Sequence, residues 1–185
     1  MPEPRIPPLE PPYSPEIAEL LSKWMPPGSD AEPLRLFRTL AVHEEFASRM
    51  RPLGAGILGH PSLDPRDREL LILRTCARAG AEYEWGVHAV AFARSHGVTK
   101  EQLTATVKGN SGDAIWSEED AQLIAAADAL YDTSTIPDDP WGELAKRFQP
   151  SQLLELVIVA GWYRLISYVI NVAGVELEPW AERFP

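Results

Sequence analysis

The run LLELVIVAGWYRLISYVI, residues 153 to 170, constrains the chain most, because it is helical in period yet leaves almost no polar face. A helix that is apolar all round must be covered on all sides. In a chain of 185 residues that makes it the axis of a bundle or the seam against a second copy of the same chain. Glu155, Arg164 and Asn171 interrupt the apolar stretch as far as Val172, so it falls short of an uninterrupted membrane span. Nowhere does a period of two persist over a strand length, so the chain is predicted to be all-α.

Length and a 45% hydrophobic content suffice for one domain with a sizeable core. The proline-rich residues 1–12 read as an arm lying over the surface or over a neighbouring subunit, and residues 13–185 as a single helical domain. A net charge of -10 disfavours a phosphate backbone or an anionic membrane as partner, so neither nucleic acid nor membrane binding is expected. The start MPEPRIPPLEPPYSPE lacks the basic and apolar regions of a secretory signal, and a cytoplasmic protein is expected. The single Cys76 forbids an intramolecular disulfide or dithiol pair, and it reads as a small buried apolar residue.

Punctuation marks the helices. Ser14-Pro15 is a cap followed by proline at the first helical position, and residues 25–28, Met-Pro-Pro-Gly, end that helix. Asp30 and Pro33 open a second helix to about Met50. Residues 52–59 are glycine-rich without the Lys-Ser or Lys-Thr of a phosphate loop, and read as a place of close backbone packing. Asp64-Pro65 starts a helix to Gly80, and the next runs from about Ala81 to Gly97. Thr99 to Gln102 is a capping box, Ser117 to Asp120 a weaker one, Asp139-Pro140 repeats the cap-plus-proline device, and Ser151 caps the last helix.

Chemistry gathers between Leu63 and Val98. Glu69, Ile72, Leu73 and Cys76 form an inward stripe, and an acid on such a stripe needs a reason. Glu84 and His88, four residues apart, share one helix face, and antiparallel packing of the two helices brings Glu69 to the same place. Arg66, Arg68, Arg74 and Arg78 take the remaining surface of the first helix and read as solvated. His43 reads as structural or solvated beside Glu44 and Glu45. No His-x-x-x-His pair exists, and no metal site is expected.

The segment RELLILRTCARAGAEYEWGVHAVAFARSHGVTKEQL resembles the carboxymuconolactone decarboxylase and alkylhydroperoxidase-D-like superfamily, through Arg68-Glu69-Leu70, Tyr83-Glu84-Trp85, His88 and Gly97-Val98-Thr99. The resemblance extends in layout over residues 33–175 and implies an alkylhydroperoxidase-D-like helical bundle, commonly a homotrimer or homohexamer. The peroxidase branch carries a Cys-x-x-Cys-x-x-x-His motif with an upstream Glu. Counted back from His88, the thiol positions fall on Ala81 and Glu84 and the Glu on Glu69, so both thiols are absent. The decarboxylase branch lacks the dithiol and implies proton transfer with no metal or organic cofactor, in the catabolism of aromatic compounds.

Three readings follow. The first is a cofactor-independent lyase or isomerase acting on a small carboxylated or cyclic substrate: His88 moves the proton at carbon, Glu84 orients or activates it, and Glu69 relays protons to solvent. One of the two carboxyls is then expected to hold a proton near neutral pH. Tyr83 and Trp85 are expected to wall the pocket and Arg74 to bind a substrate carboxylate. The second reading is a peroxidase-type oxidoreductase on the same scaffold, disfavoured by the missing thiols. The third is a non-catalytic oligomeric ligand-binding module, in which Glu84 and His88 are only an i, i+4 pair.

Overall fold

The computed structural model describes residues 3–26 and 28–185. Met1, Pro2 and Pro27 lie outside the described residues, and with them the start of the arm and one of the prolines read as ending the first helix. Among the described residues every regular element is helical. They are α1 (Pro15–Trp24), α2 (Arg35–Leu40), a 3-10 turn (Ala41–His43), α3 (Glu44–Gly59), α4 (Pro65–Arg78) and α5 (Glu82–His88). A π-helical turn (Ala89–Ala93) follows, then α6 (Lys100–Lys108), α7 (Glu118–Thr133), α8 (Asp138–Arg147) and α9 (Pro150–Ala173).

Local chemistry sets most of the starts. The Ser14 hydroxyl accepts from the Ile17 N–H and the Asp64 carboxylate from the Arg66 N–H, each with proline in the first helical turn where no donor is needed. Thr99 and Gln102 make the reciprocal capping box of α6, and Ser117 caps α7. Gly97 and Gly174 take the left-handed backbone, φ 81° and 69°, that ends a helix.

Four boundaries differ from the sequence expectation. Helix α2 begins at Arg35 rather than at Asp30, and the 3-10 turn separates it from α3, which His43 caps by accepting from the Phe46 N–H at 3.4 Å. Helix α3 continues past Met50 to Gly59 with Pro52 inside it. The close packing expected of the glycines is found there within a helix: a Cβ on Gly54 would stand 2.9 Å from the Trp162 ring. Pro137 occupies the cap position of α8, which leaves Asp139-Pro140 in its first turn. Gln149, paired reciprocally with Gln152, replaces Ser151 as the cap of α9.

The axis of the bundle is α4, not α9. Every residue from Asp67 to Cys76 is buried, and α5, α6, α7, α9 and the π-helical turn all pack around it. Helix α9 is long and apolar enough to cross a membrane, yet half of its most apolar window is buried. Leu153, Leu156, Val159, Tyr163, Ile166 and Ile170 face the core, whereas Leu154, Leu165, Tyr168 and Val172 form an exposed stripe.

The arginines of α4 are not a solvated face. Arg66 pairs with Asp120, Arg74 with Asp128 and Arg78 with Asp132. Each partner lies 54 residues onward, so α4 and α7 run parallel in fixed register. The arm lies over its own chain: the Arg5 and Ile6 N–H groups donate to the Ala173 carbonyl, and Glu10 pairs with Arg38. At the other end the C-terminal segment straps α5, with Glu182 against Gly86 and Phe184 edge-on to Trp85 at 5.3 Å.

Candidate functional site

Glu69 on α4 and Glu84 and His88 on α5 meet as the helical spacing predicts. His88 Nδ1 lies 2.7 Å from Glu69 Oε2, and His88 Nε2 lies 3.5 Å from Glu84 Oε1, at the outer limit of a hydrogen bond. The imidazole bridges the two carboxyls. Arg68 donates from Nε and Nη2 to the other Glu69 oxygen, at 3.2 and 3.1 Å. Glu69 is 0% exposed, His88 2% and Glu84 7%, so Glu84 is the member nearest solvent.

These contacts place the proton. Burial alone pushes His88 down, but the Glu69 carboxylate at 2.7 Å, helped by Glu84, outweighs it and raises the imidazole to about 9. Burial likewise works to raise Glu69, and His88 with Arg68 reverses it, holding the carboxyl below its ordinary value. At neutral pH the proton between His88 and Glu69 therefore sits on His88, so Glu69 is not the carboxyl that holds one. Arg68 and His88 both favour the charged form of Glu69, which burial alone would oppose.

The surrounding side chains were not those expected. Tyr163 of α9 stands edge-on to the His88 ring at 4.9 Å, and Phe92 of the π-helical turn lies at 5.0 Å. Cys76 is buried beside the cluster; burial pushes its thiol well above the ordinary range, Glu84 adds to that, and the Ser167 hydroxyl opposes it. A signal for α9 was present in the sequence: Tyr163 and Ser167 are polar-capable residues four apart on a helix otherwise apolar. Arg68 carried no such signal, because adjacent residues on a helix diverge by about 100° and only its long side chain brings it back to Glu69.

Tyr83, Trp85 and Arg74 point elsewhere. The Tyr83 hydroxyl donates to Glu178 at 2.6 Å and accepts from the Leu36 N–H at 3.1 Å, tying α5 to α2 and the C-terminal segment. Trp85 Nε1 donates to the Thr106 hydroxyl at 2.9 Å, inside the core. Both flank Glu84 in sequence, and so leave its face by about 100° in either direction. Arg74 holds Asp128 with two nitrogens and donates to the Thr106 and Gly109 carbonyls, which leaves no free edge for a substrate. The expected hollow is also absent from the cavities of about 350, 480 and 220 Å³, none of which is lined by Glu69, Glu84 or His88. His88 meets each of the two carboxyls directly.

Comparison with known proteins agrees with this architecture. Over 95% of this chain and 92% of the other, the fold superimposes on the debrominase Bmp8, in a variant bound to 2,3,4-tribromopyrrole, with a TM-score of 0.76 and 13% identity. An uncharacterized peroxidase-related protein from Silicibacter sp. TM1040 aligns over the whole of both chains, with a TM-score of 0.80 and 16% identity. At these identities the likeness is one of fold. No curated protein matches the sequence. Residues 44–129, which contain Glu69, Glu84 and His88, match the Carboxymuconolactone decarboxylase family, so the candidate site lies wholly within the segment that is similar to that family.

Proposed function

We propose that the chain is a cofactor-independent proton-transfer enzyme, a decarboxylase or isomerase of a small carboxylated or cyclic substrate. The observation that carries this reading is a buried imidazole held at Nδ1 by Glu69 while Nε2 faces Glu84. A histidine fixed by one carboxylate presents its other nitrogen in a defined orientation, the arrangement general acid-base chemistry needs.

The roles follow from burial. Glu69, fully enclosed, orients His88 and keeps it protonated. Glu84, the most exposed of the three, exchanges protons with solvent, which reverses the division of labour that spacing alone suggested. In a decarboxylation the bond to the substrate carboxylate breaks, carbon dioxide leaves, and the electron pair stays on the substrate as an enolate. His88 Nε2–H protonates that carbon, and the neutral imidazole regains its proton from water by way of Glu84. In an isomerisation the same groups remove a proton at one carbon and return it at another. Tyr163 and Phe92 supply apolar walls that favour loss of a charged carboxylate. Glu84, on the Nε2 side of His88, is the member of the cluster with most solvent exposure, and the π-helical turn that follows α5 is of a kind that recurs at functional sites.

The test is a panel of carboxylated lactones and vinylogous keto acids incubated in deuterium oxide. The product should carry one deuterium at carbon, and His88→Gln should lower the rate by roughly 10²-fold or more. Turnover unchanged in His88→Gln would overturn the reading. The single, buried Cys76 gives a two-thiol peroxidase cycle no second thiol in the chain, so that alternative has no support in the site.

A further inference from the structure

A crevice that none of Glu69, Glu84 and His88 lines lies elsewhere on α9. Between α7 and α9 a crevice of about 350 Å³ is lined by Leu130, Tyr131, Val157, Ala160, Leu165 and Tyr168, with Thr75 and Arg164 as its polar members. Its size lies in the range of small-molecule pockets, and its walls are mainly apolar and aromatic. We propose that this crevice binds a small aromatic carboxylate, whose ring packs on Leu130, Val157 and Leu165 and whose carboxylate meets the Arg164 guanidinium.

Arg164 is the reason. The chain carries a net charge of -10, and Arg66, Arg68, Arg74, Arg78 and Arg147 each pair with an acid. Among the described residues Arg164 has no carboxylate within ion-pair distance. Its guanidinium lies instead over the Tyr131 ring at 3.6 Å and near that of Tyr168 at 5.0 Å, and Nε donates to the Tyr168 hydroxyl at 2.9 Å. Nη1 is shut from solvent without an acceptor. A second deficit sits beside it: Thr75 is 4% exposed and its hydroxyl has no partner. Buried donors left unsatisfied cost stability, and each calls for an acceptor that the chain does not supply.

The chemistry of the crevice narrows the class. A guanidinium held over the Tyr131 ring and tied through Nε to Tyr168 has a restrained donor edge, which suits the two oxygens of a carboxylate. One cation in an apolar setting matches a monoanion with a hydrophobic body, not a phosphate. Leu130, Val157 and Leu165 offer an apolar wall to an aromatic ring. Tyr168 is the outer wall, 57% exposed and held by the Arg164 hydrogen bond, and the ligand displaces it to reach Nη1. The site is independent of proton transfer at His88.

The experiment is an NMR titration of the full chain with 1-naphthoate, compared with the neutral 1-naphthalenemethanol. Naphthoate should give saturable shifts at Thr75, Leu130, Val157 and Leu165 and none at the His88 ring. Affinity should fall roughly tenfold or more for the neutral probe and for Arg164→Gln, with Arg164→Lys between the two because it keeps the charge without the planar edge. Deuterium incorporation by the His88 site should be unchanged in Arg164→Gln, so failure of either proposal is separately visible. Absence of saturable shifts, equal affinity for the two probes, or shifts centred on His88 would overturn the assignment. So would light scattering that shows Arg164→Gln splitting an oligomer without changing naphthoate binding, because a second copy would then be the occupant.

Discussion

At the residue scale the molecule turns on where one proton resides. His88 carries it because Glu69, itself fixed by Arg68, is close enough to outweigh the cost of burying an imidazolium. That arrangement makes stability depend on pH in both directions. His88 is raised in the folded chain above its usual 6.5, so its contribution is whole below about 6.5 and fades as pH rises through about 9. Glu69 is lowered below its usual 4.5, so its contribution is whole above about 4.5 and is lost as pH falls through its depressed value. Urea unfolding midpoints should therefore be highest between about pH 4.5 and 6.5 as far as this pair is concerned, and Glu69→Gln should flatten the alkaline decline. Glu84 and His88 were legible from a spacing of four, and Glu69 from its place on an apolar stripe, because both signals are local geometry. Tyr163 and Arg68 were not, since the first arrives from a helix about 75 residues away and the second from a side chain that doubles back.

At the scale of elements, sequence and structure agree where a boundary is set by its own residues and part where a neighbour decides. Ser14, Asp64, Thr99 and Ser117 cap the helices they were expected to cap. Helix α3 runs on past Met50 through Pro52, and the packing that accompanies it, Gly54 against Trp162, joins residues more than a hundred positions apart. The register of α4 and α7 is a further tertiary fact, set by three arginine-aspartate pairs with a constant offset. Arg74 is the most enclosed of these arginines. Arg74→Ala should lower stability by roughly 3–5 kcal/mol, because it strands a largely buried Asp128, whereas Arg74→Met with Asp128→Leu should restore most of the loss. Urea melts of the single and double variants check this, and a double variant no more stable than the single would contradict it. Gly86 governs the C-terminal strap, since a Cβ there would collide with the Glu182 carbonyl. Gly86→Ala should release the segment and speed hydrogen exchange at the Glu182 amide, which donates to Gly86 at 3.4 Å. Unchanged exchange would mean that the strap does not depend on this approach.

At the scale of the whole molecule, the all-α class was legible from the absence of a persistent two-residue period. Which helix forms the centre was not. Helix α9 is apolar on every side, yet the fully enclosed rod is α4, whose arginines find partners and whose Glu69 is buried because His88 and Arg68 meet it. Charge in the sequence resembles solvent exposure until its partners are known. The most direct test of the account is the titration of the His88 ring, followed by its carbon-bound proton resonances in the wild type and in Glu69→Gln. The account predicts a midpoint near 9 in the wild type and a clear fall in the variant. A wild-type midpoint at or below the ordinary histidine value of 6.5, unmoved by Glu69→Gln, would contradict it.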